Sequence, residues 1–284
     1  MQRKDDYISI VMFQLHLDLA CNSKKEFLIT TDDYINQMKN SIDIIHKLKP
    51  DIIVFPEMSY SNDFEDAMLE ISKMSIVVYG STYIDDHNTT IIFEGGIKRE
   101  VVKRYPCVSE PMARKYKSLS ANDFIRVYLS EHTFMVKDQR IVVLNCLEYY
   151  NMAYFIARDM NINNILGFVV PCSNSNTKVF LQESMAIHNH NENIYSFVCN
   201  TVSMYNGEAY GDGNSYIFGP IQKHEKDWLK EEGVLCFEHL SSIARLGKTS
   251  SYLYCEIADP KQMSRFGRSD FYETTPKNLT IGNI

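Results

Sequence analysis

The sequence predicts an α/β fold: one domain built as a two-sheet sandwich covered by helices. Three observations carry this. Short apolar runs of strand length alternate with segments of helical periodicity along the whole chain. The runs DIIVFP (51–56) and RIVVLN (140–145) are almost wholly apolar, as strands buried on both faces are. No Gly/Ser-rich or Pro-rich linker and no repeat of fixed period divides the 284 residues, a length that suits one large domain. With 45% hydrophobic and 23% charged residues, the chain can bury a sizeable core and is not compositionally disordered.

The elements follow in order. Tyr7 to Leu17 is β-branched and apolar, a strand. Thr30 to Asp33 supplies helix-capping residues, and Ile35, Met38, Ile42, Ile45 and Leu48 then recur at spacings of three and four until Lys49-Pro50 stops the helix. Asp51 to Pro56 is a strand, Phe64 to Met74 a helix, and Ser75 to Tyr79 a strand ending at Gly80. Thr89 to Phe93 and a return strand through Val101, Val102 and Lys103 flank the hairpin turn Glu94-Gly95-Gly96. Pro106 to Asn122 is polar and loop-like, and Phe124 to Met135 holds one or two short strands. Arg140 to Asn145 is a strand running into Cys146, Tyr149 to Met160 a helix, and Ile165 to Val170 a strand stopped by Pro171. A helix spans roughly Val179 to Asn191 and a strand Ile194 to Cys199. Gly207 to Gly213 is a glycine-rich turn before the strand Ser215 to Phe218. Leu235, Phe237 and Tyr252 to Ile257 supply the last strands, and 267–284 reads as a C-terminal tail of the single domain 1–284.

Charge and cysteine usage narrow the function classes. A net charge of −7 opposes nucleic-acid or anionic-membrane binding, which needs a positive field, so neither partner is expected. The local run Arg114, Lys115, Lys117 reads as a solvated surface. Seven cysteines, at 21, 107, 146, 172, 199, 236 and 255, form no C-x-x-C pair, and several sit in apolar runs. That pattern fits reduced thiols and a cytoplasmic setting rather than a disulfide scaffold or zinc ribbon. The start MQRKDDYISI has no apolar h-region, and no apolar stretch reaches the ~18 residues that span a bilayer.

Three residue types sit where α/β sheets place ligands, at the carboxyl ends of strands. Glu57 follows DIIVFP, Cys146 follows RIVVLN, and Lys103 ends a hairpin strand. A carboxylate can take a thiol's proton, the resulting thiolate attacks an amide or nitrile carbon, and an ammonium with backbone N–H groups stabilises the charge that develops. Each residue alone is a weak signal. A cysteine after an apolar strand is usually core, a glutamate there usually a solvated loop residue, and a lysine on an edge strand a guard against aggregation.

The flanks of these residues resemble the nitrilase (carbon–nitrogen hydrolase) superfamily over nearly the whole chain. The strand ending Phe13-Gln14, DIIVFPE, IVVYGSTYIDDHNTTIIFEGGIKREVVKRY, IVVLNCLE, VVP with Pro171, ENIYSFVCN (192–200) and YGDGNSYIFGP are similar to successive family strands and elbows. The resemblance implies a four-layer αββα sandwich that commonly doubles into a dimer. It also implies Glu57 as general base, Lys103 as charge stabiliser, Cys146 as nucleophile, Glu110 as a second, positioning glutamate, and the Leu147 N–H as an oxyanion donor. Tyr60, Tyr149 and Asn174 (with Asn176) follow site-bearing strands and are pocket-lining candidates. The chain departs from the family at Leu147, where an aromatic is usual, at Tyr105, where histidine is frequent, and at Met185-Ala186, where Arg-Ala is usual.

No cofactor and no metal is expected. His188-Asn189-His190 lacks a third ligand, 212–215 is too short for a calcium loop, and neither phosphate-binding glycine motifs nor a G-x-S-x-G elbow occurs. The expected function is cysteine-dependent hydrolysis of a small non-peptide amide or nitrile through a covalent thioester, by a cytoplasmic homodimer or higher oligomer. The altered flanks of Lys103 and Cys146 motivate an alternative: a non-catalytic module of the same fold serving binding or assembly, of the kind found in defence-type systems. Glutamine-dependent ammonia supply would use the same site but needs a synthetase domain, and none is recognisable in the sequence.

Overall fold

The structure, a computed structural model, describes residues 7–24, 26–107, 126, 130–159, 165–190, 194–219, 234–235, 243–246, 249–258 and 277–284. The first half runs β1 (Tyr7–Gln14), β2 (His16–Cys21), β3 (Phe27–Ile29), α1 (Tyr34–Leu48), β4 (Ile52–Phe55), α2 (Glu65–Ile71), β5 (Ile76–Ile84), β6 (His87–Glu94) and β7 (Ile97–Val102). The second runs β8 (Thr133–Val136), β9 (Gln139–Val143), α3 (Leu147–Asp159), β10 (Ile165–Cys172), α4 (Thr177–His190), β11 (Tyr195–Asn200), β12 (Val202–Tyr205), β13 (Glu208–Asp212) and β14 (Tyr216–Phe218). It closes with β15 (Val234–Leu235), β16 (Ile243–Arg245), β17 (Ser251–Ala258) and β18 (Lys277–Asn283).

Two seven-stranded sheets face each other, ordered β18-β17-β1-β4-β5-β6-β7 and β15-β16-β14-β11-β10-β9-β8. Strands β1, β4 and β5 are parallel in one sheet, and β9, β10 and β11 in the other. Three buried layers follow. Ile10, Met12, Val54, Val143, Val169 and Phe197 share the layer between the sheets. Phe13, Phe55 and Tyr79 pack toward Met38 of α1 and Met68 of α2. Phe168 and Val198 pack toward Tyr149 of α3 and Phe180 of α4. Alternate residues of each central strand therefore serve different layers, so these strands carry unbroken apolar runs. This is the four-layer αββα arrangement.

Local chemistry sets the element ends. The α1 helix stops at Lys49, which is left-handed (φ 49°), with Pro50 behind it. Asp33 is its N-cap but makes no cap bond through its side chain; the carboxylate instead accepts from Asn36 Nδ2 at 2.8 Å.

Several expectations change; β5, for one, does not end at Gly80 but runs through it to Ile84. Pro171 does not stop β10 but lies inside it, and its carbonyl takes a bond from Cys146 N. The glycine-rich 207–213 turn contains a strand, β13, paired antiparallel with β12. With β2 and β3 these form a small third sheet ordered β13-β12-β2-β3, built where β1 and β11 overrun their main sheets. The expected tail ends in β18, which adds to β17 as an edge strand.

Candidate active site

Glu57 enters the site because β4 ends at Phe55 and a tight turn begins at Pro56. Met58 has positive φ (64°), its N–H bonds to Ser81 Oγ at 3.2 Å, and Ser59 Oγ donates to Pro56 O at 2.7 Å. Gly80 makes room for this turn: a Cβ there would stand 2.2 Å from Pro56 O. The Glu57 carboxylate is 3% exposed. Its Oε1 accepts from Lys103 Nζ at 2.9 Å and from Asn88 Nδ2 at 2.8 Å, and its Oε2 accepts from Ser173 N at 3.0 Å.

Lys103, 2% exposed, is the first residue beyond β7 rather than its last. Its N–H still bonds to Asn88 O at 2.8 Å, which continues the β6–β7 hairpin and aims the side chain inward at Glu57. Burying two opposite charges costs more desolvation than a surface pair would, so such a pair is a poor stabiliser.

Cys146 occupies the elbow between β9 and α3. Its φ is +51°, a conformation that costs a non-glycine residue about 1–3 kcal/mol. Its N–H donates to Pro171 O at 2.9 Å, and its carbonyl accepts from Tyr149 N at 3.0 Å in the first turn of α3. Cys146 is thus anchored to residue 171 and Glu57 to residue 173 of the same segment, two residues apart and so within about 7 Å along the chain. Asn145 closes the connection. Its Nδ2 donates to Thr90 Oγ1 at 3.0 Å and to Asn88 Oδ1 at 3.4 Å, so the Asn88 amide touches both the glutamate and the cysteine elbow.

Glu148 completes the frame. It is fully buried, and its Oε1 accepts the N–H of Arg104 at 2.5 Å and of Tyr105 at 3.3 Å, while Oε2 accepts the N–H of Asn145 at 3.0 Å. One carboxylate thereby clamps the segment after Lys103 to the segment before Cys146.

The other expected residues fall as follows. Glu110 lies outside the described residues. Leu147 opens α3 and is half-buried beside Cys146. Tyr149 is not at a pocket surface: it is buried in the α3–α4 layer, with its hydroxyl bonded to Ser184 and Ser196 and its ring stacked on Phe180. The Tyr60 hydroxyl meets Glu65, Asn62 and Lys98 on the α2–β7 flank. Asn174 turns the chain after Ser173: its N–H bonds to Asn200 Oδ1, and its own Oδ1 accepts from Asn176 N.

The sequence reading missed Asn88, Asn145, Glu148 and Ser173 as site residues. Glu148 had a detectable signal, a charged residue on the first turn of an otherwise apolar helix directly after the elbow. Ser173 acts through its backbone, which no side-chain pattern reveals. Surface cavities lined by described residues include one of ~410 Å³ between α1 and α2 and one of ~610 Å³ beside Tyr34, Met58 and Tyr60. Glu57, Lys103 and Cys146 line neither. Among the described residues no three His, Cys, Asp or Glu side chains are grouped as metal ligands, and no helix is long and apolar enough to cross a membrane.

No family model and no curated protein sequence matches the chain. Solved structures do. Saccharomyces cerevisiae Nit3, a member of branch 10 of the nitrilase superfamily, aligns over 95% of this chain and 97% of its own, with a TM-score of 0.58 and 15% identity. A mutant of the amidase from Nesterenkonia sp. AN1, carrying the acetamide moiety of fluoroacetamide covalently on its active-site cysteine, aligns over 95% and 97% with a TM-score of 0.59 and 13% identity. Glutamine-dependent NAD+ synthetase from Acinetobacter baumannii aligns over 90% of this chain but 46% of its own, with a TM-score of 0.55 and 13% identity. The fold is therefore that of the nitrilase superfamily. Identities this low carry the fold and not the activity.

Proposed function

We propose that this chain is a carbon–nitrogen hydrolase that cleaves a small non-peptide amide or nitrile through a thioester on Cys146. The observation that carries the reading is the buried Glu57–Lys103 pair held at the strand end that also anchors the Cys146 elbow. Two solved neighbours, an amidase carrying the acetamide moiety of fluoroacetamide on its active-site cysteine and a nitrilase-superfamily member, support it.

The proposed chemistry uses each group once per half-reaction. Glu57 takes the Cys146 proton, and the thiolate adds to the substrate's carbon. Lys103 Nζ and the Leu147 N–H meet the developing negative charge. For an amide, collapse expels ammonia with a proton returned by Glu57. Water then attacks the thioester with Glu57 as base, and the acid leaves. Glu110 belongs to this scheme as the residue that orients substrate and lysine. Asn174 and Tyr60 stand as pocket contacts, whereas Tyr149 supports α3 from below. The same reading places the protein in a reducing cytoplasm, as a homodimer built on α3, whose Tyr150 and Phe155 are exposed.

Ammonia release from a panel of short amides and nitriles tests the proposal. Turnover of at least one substrate is expected, and Cys146→Ala should lower it by at least roughly 10³-fold, with Glu57→Gln close behind. Full activity in the alanine variant would remove Cys146 from the mechanism. One observation favours the second reading, a non-catalytic module: Cys146 is only 6% exposed. No turnover on the panel, with a Cys146 inert to iodoacetamide, would decide for it.

A further inference from the structure

We propose that Cys172 is a resolving cysteine for Cys146: oxidation by a hydroperoxide joins the two sulfurs in a reversible disulfide that withdraws Cys146 from reaction. This rests on the reading of Cys146 as the reactive thiol and adds a modification site to it.

Strand register supplies the geometry. In the parallel β9–β10 pair, Val142 lies opposite Phe168 and Val143 opposite Val169. The bonds Leu144 N to Val169 O and Cys146 N to Pro171 O, both 2.9 Å, carry the same offset onward to the elbow. Pro171 has no N–H to return a bond to the Leu144 carbonyl, so the regular ladder stops while the alignment continues. Cys146 is thereby set opposite Cys172. Adjacent strands lie about 4.8 Å apart, inside the Cα–Cα window of roughly 4.4–6.8 Å that a disulfide needs.

Face and environment agree with register. Val142, Leu144 and Cys146 share one buried layer with Phe168, Val170 and Cys172. Cys199, opposite Pro171 on β11, belongs to the layer between the sheets and donates to Phe13 O, so it is not the candidate. Burial first, then the Cys146 sulfur and the Glu57 carboxylate, push the Cys172 thiol well above the ordinary thiol range. Cys172 therefore stays protonated while Cys146 is a thiolate and does not compete with it as a nucleophile.

The steps balance. The Cys146 thiolate attacks the hydroperoxide: an S–O bond forms, the O–O bond breaks, and the leaving hydroxide or alkoxide takes a proton. The sulfur has lost two electrons and the peroxide has gained them. Oxidation makes Cys146 a neutral sulfenic acid, which removes one of the charges opposing ionisation of Cys172. Cys172 passes its proton to Glu57, and its sulfur attacks the Cys146 sulfur. The S–S bond forms, the S–O bond breaks, and hydroxide leaves with that proton as water. The disulfide protects Cys146 from the irreversible sulfinic and sulfonic states.

The test treats the full chain with a small excess of hydrogen peroxide at neutral pH and maps its peptides without reduction. The expected result is a mass loss of two hydrogens, a peptide pair joining Cys146 to Cys172, and full return of iodoacetamide labelling at Cys146 after reductant. In Cys172→Ser and Cys172→Ala, Cys146 should instead gain two oxygens, and reductant should not restore it. If neither variant folds, the wild-type map alone carries the test. Wild-type Cys146 reaching the sulfinic acid with no linked peptide would overturn the inference while leaving the proposed hydrolase standing. A Cys146 that takes neither oxygen nor iodoacetamide would overturn both.

Discussion

At the residue scale, the site concentrates buried polar groups bonded to backbone and side-chain atoms of neighbouring elements. Glu148 shows what that means energetically. Its carboxylate serves three backbone N–H groups, and removing it would leave them buried without an acceptor. Glu148→Ala should lower unfolding free energy by on the order of 3 kcal/mol or more, and Glu148→Gln, which keeps one carbonyl acceptor, by less. Denaturant titration of both variants checks this. If Lys103 and Cys146 are the machinery, Glu148→Gln should also depress kcat more than it changes KM, because it loosens their alignment. His132 gives a pH prediction away from the site. Burial lowers its pKa from 6.5 to about 4, with its bond to Val143 O partly offsetting. Above pH 6.5 folded and unfolded states are both neutral there, and the stability is fully present. Between 6.5 and about 4 only the unfolded state binds the proton, so stability falls, by on the order of 3 kcal/mol in total. Unfolding titrations across that range should show the loss, and His132→Asn, which can still donate to Val143 O, should flatten it. Of these residues, Glu57, Lys103 and Cys146 were candidates in the sequence because they stand at strand ends whose flanks resemble the nitrilase superfamily. Asn88, Asn145 and Ser173 were not, because their contribution depends on which strands become neighbours.

At the element scale, strand ends and turns determine where the chemistry-bearing groups stand. The Pro56–Ser59 turn holds Glu57 only because Gly80 on β5 lacks a side chain. Gly80→Ala would meet Pro56 O and Ser59 Oγ in a backbone of positive φ (68°), where an L-residue is already strained. It should cost more than about 2 kcal/mol and reduce any turnover together with stability, as calorimetry and the ammonia assay would report. Regular elements were easy to place in the sequence. The α1 periodicity from Ile35 to Leu48 and the apolar runs at 51–56 and 140–145 each lie on an observed element. Pro171 and the 207–213 glycines misled, for related reasons. A proline can sit inside a strand at the point where one of its ladders ends, at the loss of a single bond, and a glycine such as Gly211 can sit in a short paired strand where close packing against Thr201 and Ser203 demands it. The third sheet was invisible because its pairing of β2 with β12 joins segments far apart in sequence.

At the scale of the whole molecule, the candidate site straddles the sandwich. One sheet supplies Glu57, Asn88 and Lys103, and the other Asn145, Cys146, Glu148 and Ser173. Gln14 adds a further tie, accepting from Ser215 N at 2.9 Å and donating to Thr249 O at 2.8 Å. The layer between the sheets therefore sets both stability and site geometry. Phe197→Ala, a truncation at a fully buried position in that layer, should cost about 3–5 kcal/mol in denaturant unfolding. The two-sheet, helix-covered class was readable from the alternation of patterns, because each layer imposes its own period. Which residues would meet across the sandwich was readable only through family resemblance, since no local period encodes it. The central claim is that Cys146 is a nucleophile toward carbon bonded to nitrogen. Intact-protein mass spectrometry after incubation with small amides and nitriles tests it most directly. An acyl or thioimidate adduct mapping to the Cys146 peptide, and absent from Cys146→Ala, is the expected result. An adduct on another cysteine, or unchanged substrate turnover by Cys146→Ala, would contradict it.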